Sequence, residues 1–314
     1  MMKVGECKMH GEKIGPWWEI RAKGKSDGDT RTVLSFLESE VGLPSPLIEQ
    51  LERVGHLALN KETASLHDSV KTGDRVRMEL FPDEPYGVEP EMLDLDVLYE
   101  DDHLLVVNKP AGQKVHANDE GETGALLNAL AWHYQMQGLE TRVRLLHRLD
   151  QETSGAILFP KHAVAQKLLD AMLQERKIKR EYWALVQGYI RVAHGTIDAP
   201  IGRDRNHATR RRVSGTGKPA QTDFRVVERF GAQATLVQAT LRTGRTHQIR
   251  VHFAHLGHPL LGDELYGGPT NWMHRQALHA KFLRFTHPIT GEDLEIEAPE
   301  PPDFSDLLRK VKGP

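Results

Sequence analysis

Short apolar runs separated by polar turns recur from residue 104 onward, and they limit the folds open to this chain. The runs lie at 104–107, 156–159, 182–186, 234–241 and 294–296. Runs this short, bounded by turn-forming residues, suit strands better than helices. We therefore expect a mixed, mostly antiparallel sheet in the larger part of the chain.

Helical periodicity interrupts these strand-like runs in two places, at 124–134 and 163–173. A third helix is predicted to begin near Thr246 and to contain Ile249, Val251 and Phe253. Strands and helices that do not alternate regularly predict an α+β domain with peripheral helices.

A linker rich in proline and acidic residues is predicted at 82–92, and the 314 residues exceed what one ordinary domain needs. Residues 1–81 are expected to form a small α/β module, residues 93–300 the main domain and residues 301–314 a C-terminal tail. In the module, Asp29 or Thr30 is predicted to cap one helix and Pro46 to open another. Strands are expected at 57–59 and 76–80, with a turn at Gly73.

The chain has no apolar run of about 18 residues, and its first residues are polar, which argues against a membrane span or a secretory signal. Its one cysteine, Cys7, has no partner for an internal disulfide. These features predict a soluble cytoplasmic protein. A monomer is expected because no long apolar seam stands out.

Charge is strongly segregated along the chain. Residues 141–250 carry 21 Lys and Arg against 9 Asp and Glu, a local charge of +12, whereas the whole chain has a net charge of −3. A basic segment is often only a solvated surface. Charge separated on this scale also attracts polyanions, so a nucleic acid is the favoured partner.

A carboxylate lies in a turn within this basic segment, in the sequence His-Arg-Leu-Asp-Gln-Glu-Thr-Ser-Gly at 147–155. Apolar residues at 145–146 and 156–159 predict buried strands on both sides, which would place Asp150 at the rim of a core. Taken alone, Asp150 is better explained as a turn former or as an ion-pair partner of Arg148 than as a catalytic group.

Two further segments bear on this turn. Lys-Arg-Glu-Tyr at 179–182 places two cations and a tyrosine at the start of a strand. Leu-Arg-Thr-Gly-Arg-Thr-His-Gln-Ile-Arg-Val-His at 241–252 holds three arginines around a predicted helix start, a position suited to binding phosphate.

Together these segments resemble the RluA-type family of RNA pseudouridine synthases, whose patterns are an HRLD-x-x-TSG turn, a basic-x-Tyr strand and a TGR-x-HQ-hydrophobic-R helix. All three occur here in that order, and smaller matches occur at 108–110, 217–220, 257–259, 262–263 and 266–267. The resemblance covers roughly residues 95–300. It implies the pseudouridine synthase fold, with a small RNA-binding-like module in front.

The resemblance also implies a reaction in which uridine in RNA is isomerised to pseudouridine, with no nucleotide cofactor and no metal. His252, His255 and His258 recur every third residue, yet they lack a thiolate or carboxylate partner at metal-site spacing, so we interpret them as packing residues or phosphate contacts. RNA is the implied partner, with no membrane. Large-subunit (23S) ribosomal RNA is the expected substrate, and transfer RNA is the alternative.

The resemblance carries over to individual residues. Asp150 is expected to be the catalytic carboxylate, either as a nucleophile on the sugar or as a base that removes a ribose proton. Arg250 is its expected partner, since a nearby cation favours the ionised carboxylate. Tyr182 is expected to stack on the uracil, and Arg148 to enter the space that a flipped base vacates. The expected phosphate contacts are Arg210, Arg211, Arg212, Arg245 and His247.

Two departures from the family pattern are visible. Arg180 stands where many members have lysine, and the arginine keeps the positive charge at this position. Residues 1–100 carry 12 basic against 20 acidic residues, a charge of −8 that does not favour RNA binding by the N-terminal module itself. Two other function classes stay open at this point: a non-catalytic RNA-binding or ribosome-assembly factor, and a glycosidase-like hydrolase that pairs Asp150 with Glu152.

Overall fold

A computed structural model of the chain describes residues 9–23, 31–117 and 121–313. Strands and helices are combined without regular alternation, as predicted for an α+β protein. Two sheets organise the molecule, a small one before residue 80 and a nine-stranded one after residue 96.

The N-terminal module contains a five-stranded antiparallel sheet in the order β1-β2-β7-β4-β5 and a separate pair, β3 and β6. Two helices cover it. The strands are β1 (Glu12–Ile14), β2 (Trp17–Arg21), β3 (Arg31–Thr32), β4 (Leu57–Leu59), β5 (Glu62–Thr63), β6 (Ser69–Val70) and β7 (Arg75–Glu79), and the helices are α1 (Val33–Ser39) and α2 (Ser45–Arg53).

The two helices of the module begin at recognisable signals. Thr32 caps α1, because its Oγ1 accepts a hydrogen bond from Ser35 N at 3.2 Å. Asp29 and Thr30, the caps predicted from the sequence, lie outside the described residues. Pro46 lies in the first turn of α2, where its missing N–H leaves no hydrogen bond unmade.

The stretch between Leu80 and Val97, which includes the predicted linker, contains no helix or strand. It is nevertheless fixed to the main domain. Both carboxylate oxygens of Glu84 accept hydrogen bonds from Arg144 Nη2 at 2.7 Å, and Tyr86 O accepts one from Val143 N at 2.9 Å. The linker is thus an extended segment that packs along the domain rather than a tether.

In the described part of the main domain, nine strands form one sheet in the order β12-β15-β16-β11-β17-β10-β9-β8, with β18 also paired to β17. The strands are β8 (Val97–Glu100), β9 (Leu104–Lys109), β10 (Ser154–Pro160), β11 (Lys179–Gln187), β12 (His194–Asp198), β15 (Gln221–Phe230), β16 (Ala234–Leu241), β17 (Leu278–Thr286) and β18 (Asp293–Glu297). A separate hairpin is formed by β13 (Ile201–Arg203) and β14 (Arg211–Val213).

Among the described pairs of strands, β10 and β17 run parallel and the others run antiparallel, which confirms the mixed, mostly antiparallel sheet. Gly155 makes the parallel pairing possible. Its φ is +113°, and a Cβ there would collide with the backbone of Ala280 on β17.

Among the residues that the structure describes, four helices and one 3₁₀ turn complete the domain: α3 (Leu126–Met136), α4 (Ala163–Gln174), α5 (Gln248–His255), the 3₁₀ turn Glu264–Tyr266 and α6 (Pro302–Lys312). Helices α3, α4 and α5 lie where the periodicity predicts them, within two residues at their starts.

The predicted C-terminal tail is instead largely helical. Phe304, Leu307 and Val311 of α6 are buried against the sheet, and Asp303 pairs with Arg275 at 2.6 Å. Prolines at the start suggested an unstructured end, but proline at the first helical turn is compatible with a helix. The apolar residues at 304, 307, 308 and 311 share one face.

The N-terminal module packs directly on the main domain. Its apolar core continues into Val164, Leu168 and Ile289. Trp18 contacts the ring of His103 with 4.6 Å between ring centroids. These contacts lie where β9 begins and β10 ends. No helix among the described residues is long and apolar enough to cross a membrane.

Candidate active site

Asp150 lies in the turn that leads into β10, at the end of the strand remote from the N-terminal module. Its backbone oxygen accepts a hydrogen bond from Thr153 N at 3.0 Å, which closes the turn. The strand after the turn is the predicted one. The strand predicted at 145–146 was wrong, because both edges of β10 are already occupied by β9 and β17.

A buried lysine fixes this turn. Lys109, at the end of β9, is fully buried, and its Nζ donates hydrogen bonds to the carbonyls of Pro110, Gln113 and Gln151 at 2.7, 2.8 and 2.8 Å. Three acceptors match the three hydrogens of an ammonium group. Burial lowers the pKa of Lys109 to about 7. Glu152 O accepts a further hydrogen bond, from Arg275 Nη1 at 3.1 Å.

Arg250 connects Asp150 to a second carboxylate. Its Nη1 donates to Asp150 Oδ2 at 3.1 Å, while Nε and Nη2 donate to the two oxygens of the buried Asp263 at 2.7 and 2.8 Å. Burial alone would lower the pKa of Arg250. The hydrogen bonds and charges of Asp263 and Asp150 outweigh burial and raise it, so the guanidinium stays charged.

Tyr182 occupies the neighbouring strand β11, beside a bulge in the β11–β17 pairing. Its side chain is 4% exposed and lines the same cleft as Asp150. Burial raises the pKa of Tyr182, the charge of Arg180 opposes this, and the charge of Asp150 adds to it. The phenol is therefore protonated at neutral pH, and it can donate as well as accept a hydrogen bond.

The cleft around Asp150 is open to solvent and has an empty volume of about 360 Å³. Apolar side chains form part of its wall, including Leu149, Leu241 and Leu278. Asp150 is the only carboxylate among the described residues that line it, and Glu152 does not. This geometry does not favour the glycosidase-like alternative, which needs two carboxylates facing one bond.

Three of the predicted RNA contacts also line this cleft: Arg148, Arg245 and His247. Arg148 is exposed, and within the described part of the chain its side chain makes no hydrogen bond or ion pair. Arg245 Nε donates to Pro219 O at 3.0 Å. His247 Nε2 lies 3.9 Å from Asp150 Oδ2.

The other predicted RNA contacts lie apart from Asp150, on the hairpin of β13 and β14. Arg210, Arg211 and Arg212 line a second, larger cavity beside α5, with an empty volume of about 1220 Å³. Arg210 is paired with Asp204 at 2.7 Å, whereas Arg212 is exposed. The hairpin therefore extends the basic surface beyond the cleft that holds Asp150.

The recurring histidines are placed separately. His252 is buried, and its two ring nitrogens lie 2.9 Å from Thr222 Oγ1 and 3.0 Å from Ala199 O. His258 Nδ1 lies 2.8 Å from Gln187 O. The described residues contain no group of three histidine, cysteine or acidic side chains arranged to hold a metal ion.

Sequence reasoning matched Lys109, Asp263 and Tyr266 to family patterns but gave them no role, and it did not single out Arg275. Each acts through a contact with a residue that is distant in sequence. Arg250 and Asp150 are themselves 100 positions apart. Their buried charge marks them as important, since Lys109 and Asp263 are 0% and 1% exposed, but this burial is visible only in the folded structure.

Comparison with known proteins places the chain in a family. Residues 103–255 match the model of the RNA pseudouridylate synthase family. The chain is 46% identical to the uncharacterized RNA pseudouridine synthase YhcT of Bacillus subtilis (strain 168), over 93% of this chain and 96% of that protein. It is 43% identical to ribosomal large subunit pseudouridine synthase D of Pasteurella multocida (strain Pm70), over 77% of this chain and 78% of that protein.

The solved structures agree. Human RNA Pseudouridylate Synthase Domain Containing 1 superposes with a TM-score of 0.57 at 30% identity, covering 70% of this chain and 90% of that one. The fold, the mixed sheet with its cleft and the length of the matches all point to the same relatives. The chain therefore belongs to the family of RNA pseudouridine synthases.

Proposed function

We propose that this enzyme isomerises specific uridines of large-subunit ribosomal RNA and that Asp150 is its catalytic carboxylate. The observation that carries the assignment is the position of Asp150. Among the described residues it is the only carboxylate lining the cleft, and its Oδ2 accepts a hydrogen bond from the buried Arg250. The relatives named ribosomal large subunit pseudouridine synthase D support the substrate class.

The proposed chemistry needs an ionised carboxylate beside the ribose. Arg250 stabilises the negative charge on Asp150, and the side chain of Asp150 is 26% exposed, so a ribose can approach it. The carboxylate either attacks the sugar or removes a ribose proton, and both routes begin with the same ion. The C1′–N1 bond breaks, the base turns, and a C1′–C5 bond forms. The C5 hydrogen leaves as a proton, N1 takes up a proton, and the free carboxylate of Asp150 is restored.

Tyr182 is proposed to stack on the detached uracil and to assist the proton transfer that completes the reaction. Its ring lines the wall of the cleft, and its phenol is protonated at neutral pH. An aromatic face holds a planar base without fixing its rotation, which suits a base that must turn before it rejoins.

Base flipping is proposed to give the uridine access to the cleft. A base inside a helix does not reach Asp150, and extrusion costs a few kcal/mol. Arg148 is exposed at the rim of the cleft and has no partner within the described residues, so its guanidinium is available to fill the vacated stack. Arg245, His247 and the arginines 210–212 are proposed phosphate contacts around it.

The test uses purified protein with ribosomal RNA transcripts and, separately, transfer RNA transcripts, all labelled with tritium at C5 of uridine. We expect tritium release and a product RNA of unchanged nucleoside mass apart from the label. Asp150→Asn should release no tritium while binding the RNA with nearly the same affinity. Release by Asp150→Asn would overturn the catalytic assignment, and release only from transfer RNA would replace the proposed substrate.

A further inference from the structure

The segment that follows Gly262 contacts Arg250 without itself lining the cleft. Asp263 is 1% exposed and binds Nε and Nη2 of Arg250, leaving Nη1 to donate to Asp150. One edge of the guanidinium is thus fixed by Asp263 and the other faces Asp150. The direction in which Arg250 presents its hydrogen is set by a carboxylate that does not line the cleft.

Tyr266 lies three residues further on and makes three contacts to two different elements. The guanidinium carbon of Arg250 lies 5.0 Å from the centre of its ring. Its hydroxyl oxygen accepts a hydrogen bond from the backbone N–H of Arg211, on β14, at 3.0 Å. The same oxygen lies 2.9 Å from Nδ1 of His247, the residue before α5. A single hydroxyl therefore joins the basic hairpin to the start of α5.

The direction of these hydrogen bonds follows from the donors available. The Arg211 N–H has one hydrogen and must donate it to the Tyr266 oxygen. Among the described residues, His247 Nδ1 is the one acceptor within reach of the Tyr266 hydroxyl hydrogen, so we infer that the hydroxyl donates and Nδ1 accepts. An imidazole that accepts at Nδ1 carries its proton on Nε2, and Nε2 faces Asp150 Oδ2 at 3.9 Å.

His247 holds an unusual backbone conformation. Its φ is +58° and its ψ is +22°, in the left-handed region that residues other than glycine seldom adopt. Such a conformation is strained and persists only where the surrounding contacts enforce it. The hydrogen bond between Tyr266 and Nδ1 holds the His247 ring in a position where Nε2 faces Asp150.

We propose that Tyr266 is a positioning residue that holds His247 as the neutral Nε2–H tautomer facing Asp150 and, together with Asp263, fixes the guanidinium of Arg250. This inference rests on the proposed function, since it takes Asp150 as the catalytic carboxylate. It adds that this hydroxyl is one of the contacts that connect the hairpin carrying arginines 210–212 to the cleft. RNA bound to that hairpin would therefore be linked, through Tyr266, to the residues that set the environment of Asp150.

Charged groups from several elements face His247. Asp150 and Asp263 favour its protonated form, whereas Arg250 and Arg211 oppose it. Burial is the largest influence and lowers the pKa of His247. A hydrogen bond donated by Tyr266 to Nδ1 acts in the same direction, because it stabilises the neutral ring only.

The variant that isolates the hydroxyl is Tyr266→Phe, which keeps the ring against Arg250. Tyr189→Phe, at an exposed tyrosine outside both cavities, is the matched control. The tautomer and the pKa of His247 are read from ¹⁵N-edited spectra of the ring nitrogens across a pH titration. The spectrum of His247→Gln identifies the signal. Single-turnover isomerisation and RNA binding are measured on the same proteins.

We expect the Nε2–H tautomer in the unaltered protein. In Tyr266→Phe the pKa of His247 should rise, and the single-turnover rate should fall roughly tenfold, the size expected for one lost hydrogen bond. The dissociation constant for RNA should stay within about twofold, since no phosphate contact is removed. Tyr189→Phe should match the unaltered protein in each measurement.

A proton on Nδ1 of His247 in the unaltered protein would overturn the inference, and this result needs no variant to fold. An unchanged pKa and rate in a folded Tyr266→Phe would overturn it as well. Failure of the unaltered protein to isomerise any RNA would instead refute the proposed function. The tautomer would still be measurable, so the two failures are distinguishable.

Discussion

At the scale of single residues, the site depends on buried charges that satisfy one another. Arg250 is shared between Asp150 and Asp263, and Lys109 satisfies three carbonyls around the turn. Breaking such a set is costly, because the partner that stays behind is buried without compensation. The residues that hold Asp150 in place are therefore expected to matter as much for folding as for activity.

Replacing Lys109 by methionine tests this directly. The three carbonyls that Lys109 satisfies would lose their shared hydrogen-bond donor in a buried place, so we expect the free energy of unfolding to fall by roughly 3 kcal/mol. Isomerisation should also fall, since the turn that carries Asp150 loses its anchor. Urea unfolding followed by fluorescence measures the first effect, and tritium release the second.

The exposed Lys167, on α4, gives the matched control. Lys167→Met should change unfolding by less than about 0.5 kcal/mol, as is usual for surface substitutions. If Lys109→Met were equally harmless, the ammonium would not be holding the turn.

Sequence reasoning identified the residues whose family patterns each lie within a single short segment, namely Asp150, Tyr182 and Arg250. It did not reveal how they meet, because Arg250 approaches Asp150 only after α5 packs against the sheet. The roles of Lys109, Asp263 and Tyr266 depend on partners in other segments. Periodicity and local spacing carry no information on such contacts.

At the scale of elements, the basic hairpin of β13 and β14 has a proposed role in RNA binding that can be measured separately from catalysis. Its arginines line a cavity separate from the cleft around Asp150. Arg212 is exposed, so it is free to meet a phosphate. Hairpin charge should therefore affect RNA affinity more than the rate of the chemical step.

We expect Arg212→Ala to weaken RNA binding several-fold and to reduce the slope of log affinity against log salt by about one unit. The single-turnover rate at saturating RNA should be nearly unchanged. Filter binding over a salt series gives the slope, with Arg309→Ala on α6 as the matched exposed control. A slope identical to that of the unaltered protein would exclude Arg212 as a phosphate contact.

Helices were predicted from the sequence where an apolar face repeats every three or four residues, as in α3, α4 and α5. Helix α6 has the same kind of face, but the prolines before it were interpreted as a tail. The segment 145–146 shows the opposite error. Its apolar residues are inside or near the core, yet the sheet has no free edge beside β10 for them to pair with.

At the scale of the whole molecule, the N-terminal module and the main domain share one apolar core. Their junction lies at the end of β9 and β10 opposite Asp150, about 20 Å away along strands of six and seven residues. The acidic module is thus placed away from the cleft. We expect it to stabilise and orient the catalytic domain rather than to contact the target uridine.

The junction contains buried histidines, which makes its stability depend on pH. His103 Nδ1 lies 2.9 Å from His162 Nε2, and burial lowers the pKa of His103 to about 4. Between about pH 6.5 and pH 4, the side chain of His103 is protonated in the unfolded chain but stays neutral in the folded protein. The unfolded state is thereby favoured, so stability falls as the pH falls through this window.

Between pH 7 and pH 4, the free energy of unfolding should fall less in His103→Gln than in the unaltered protein, by up to about 3 kcal/mol. Burial lowers the pKa of His162 as well as that of His147 and His279, so part of the slope should persist. Urea midpoints at a series of pH values measure it, with exposed His194→Gln as the control. If the urea midpoint changed equally with pH in His103→Gln and in the unaltered protein, His103 would not be a cause of the pH dependence.

The central claim is that Asp150 catalyses uridine isomerisation in ribosomal RNA, and pseudouridine mapping in cells tests it most directly. Total RNA is modified with carbodiimide and read by primer extension from cells with the intact gene, with a deletion and with Asp150→Asn. We expect particular sites in large-subunit ribosomal RNA to disappear in both mutants and to return with the intact gene. Sites that persist in the Asp150→Asn cells but not in the deletion would contradict the claim.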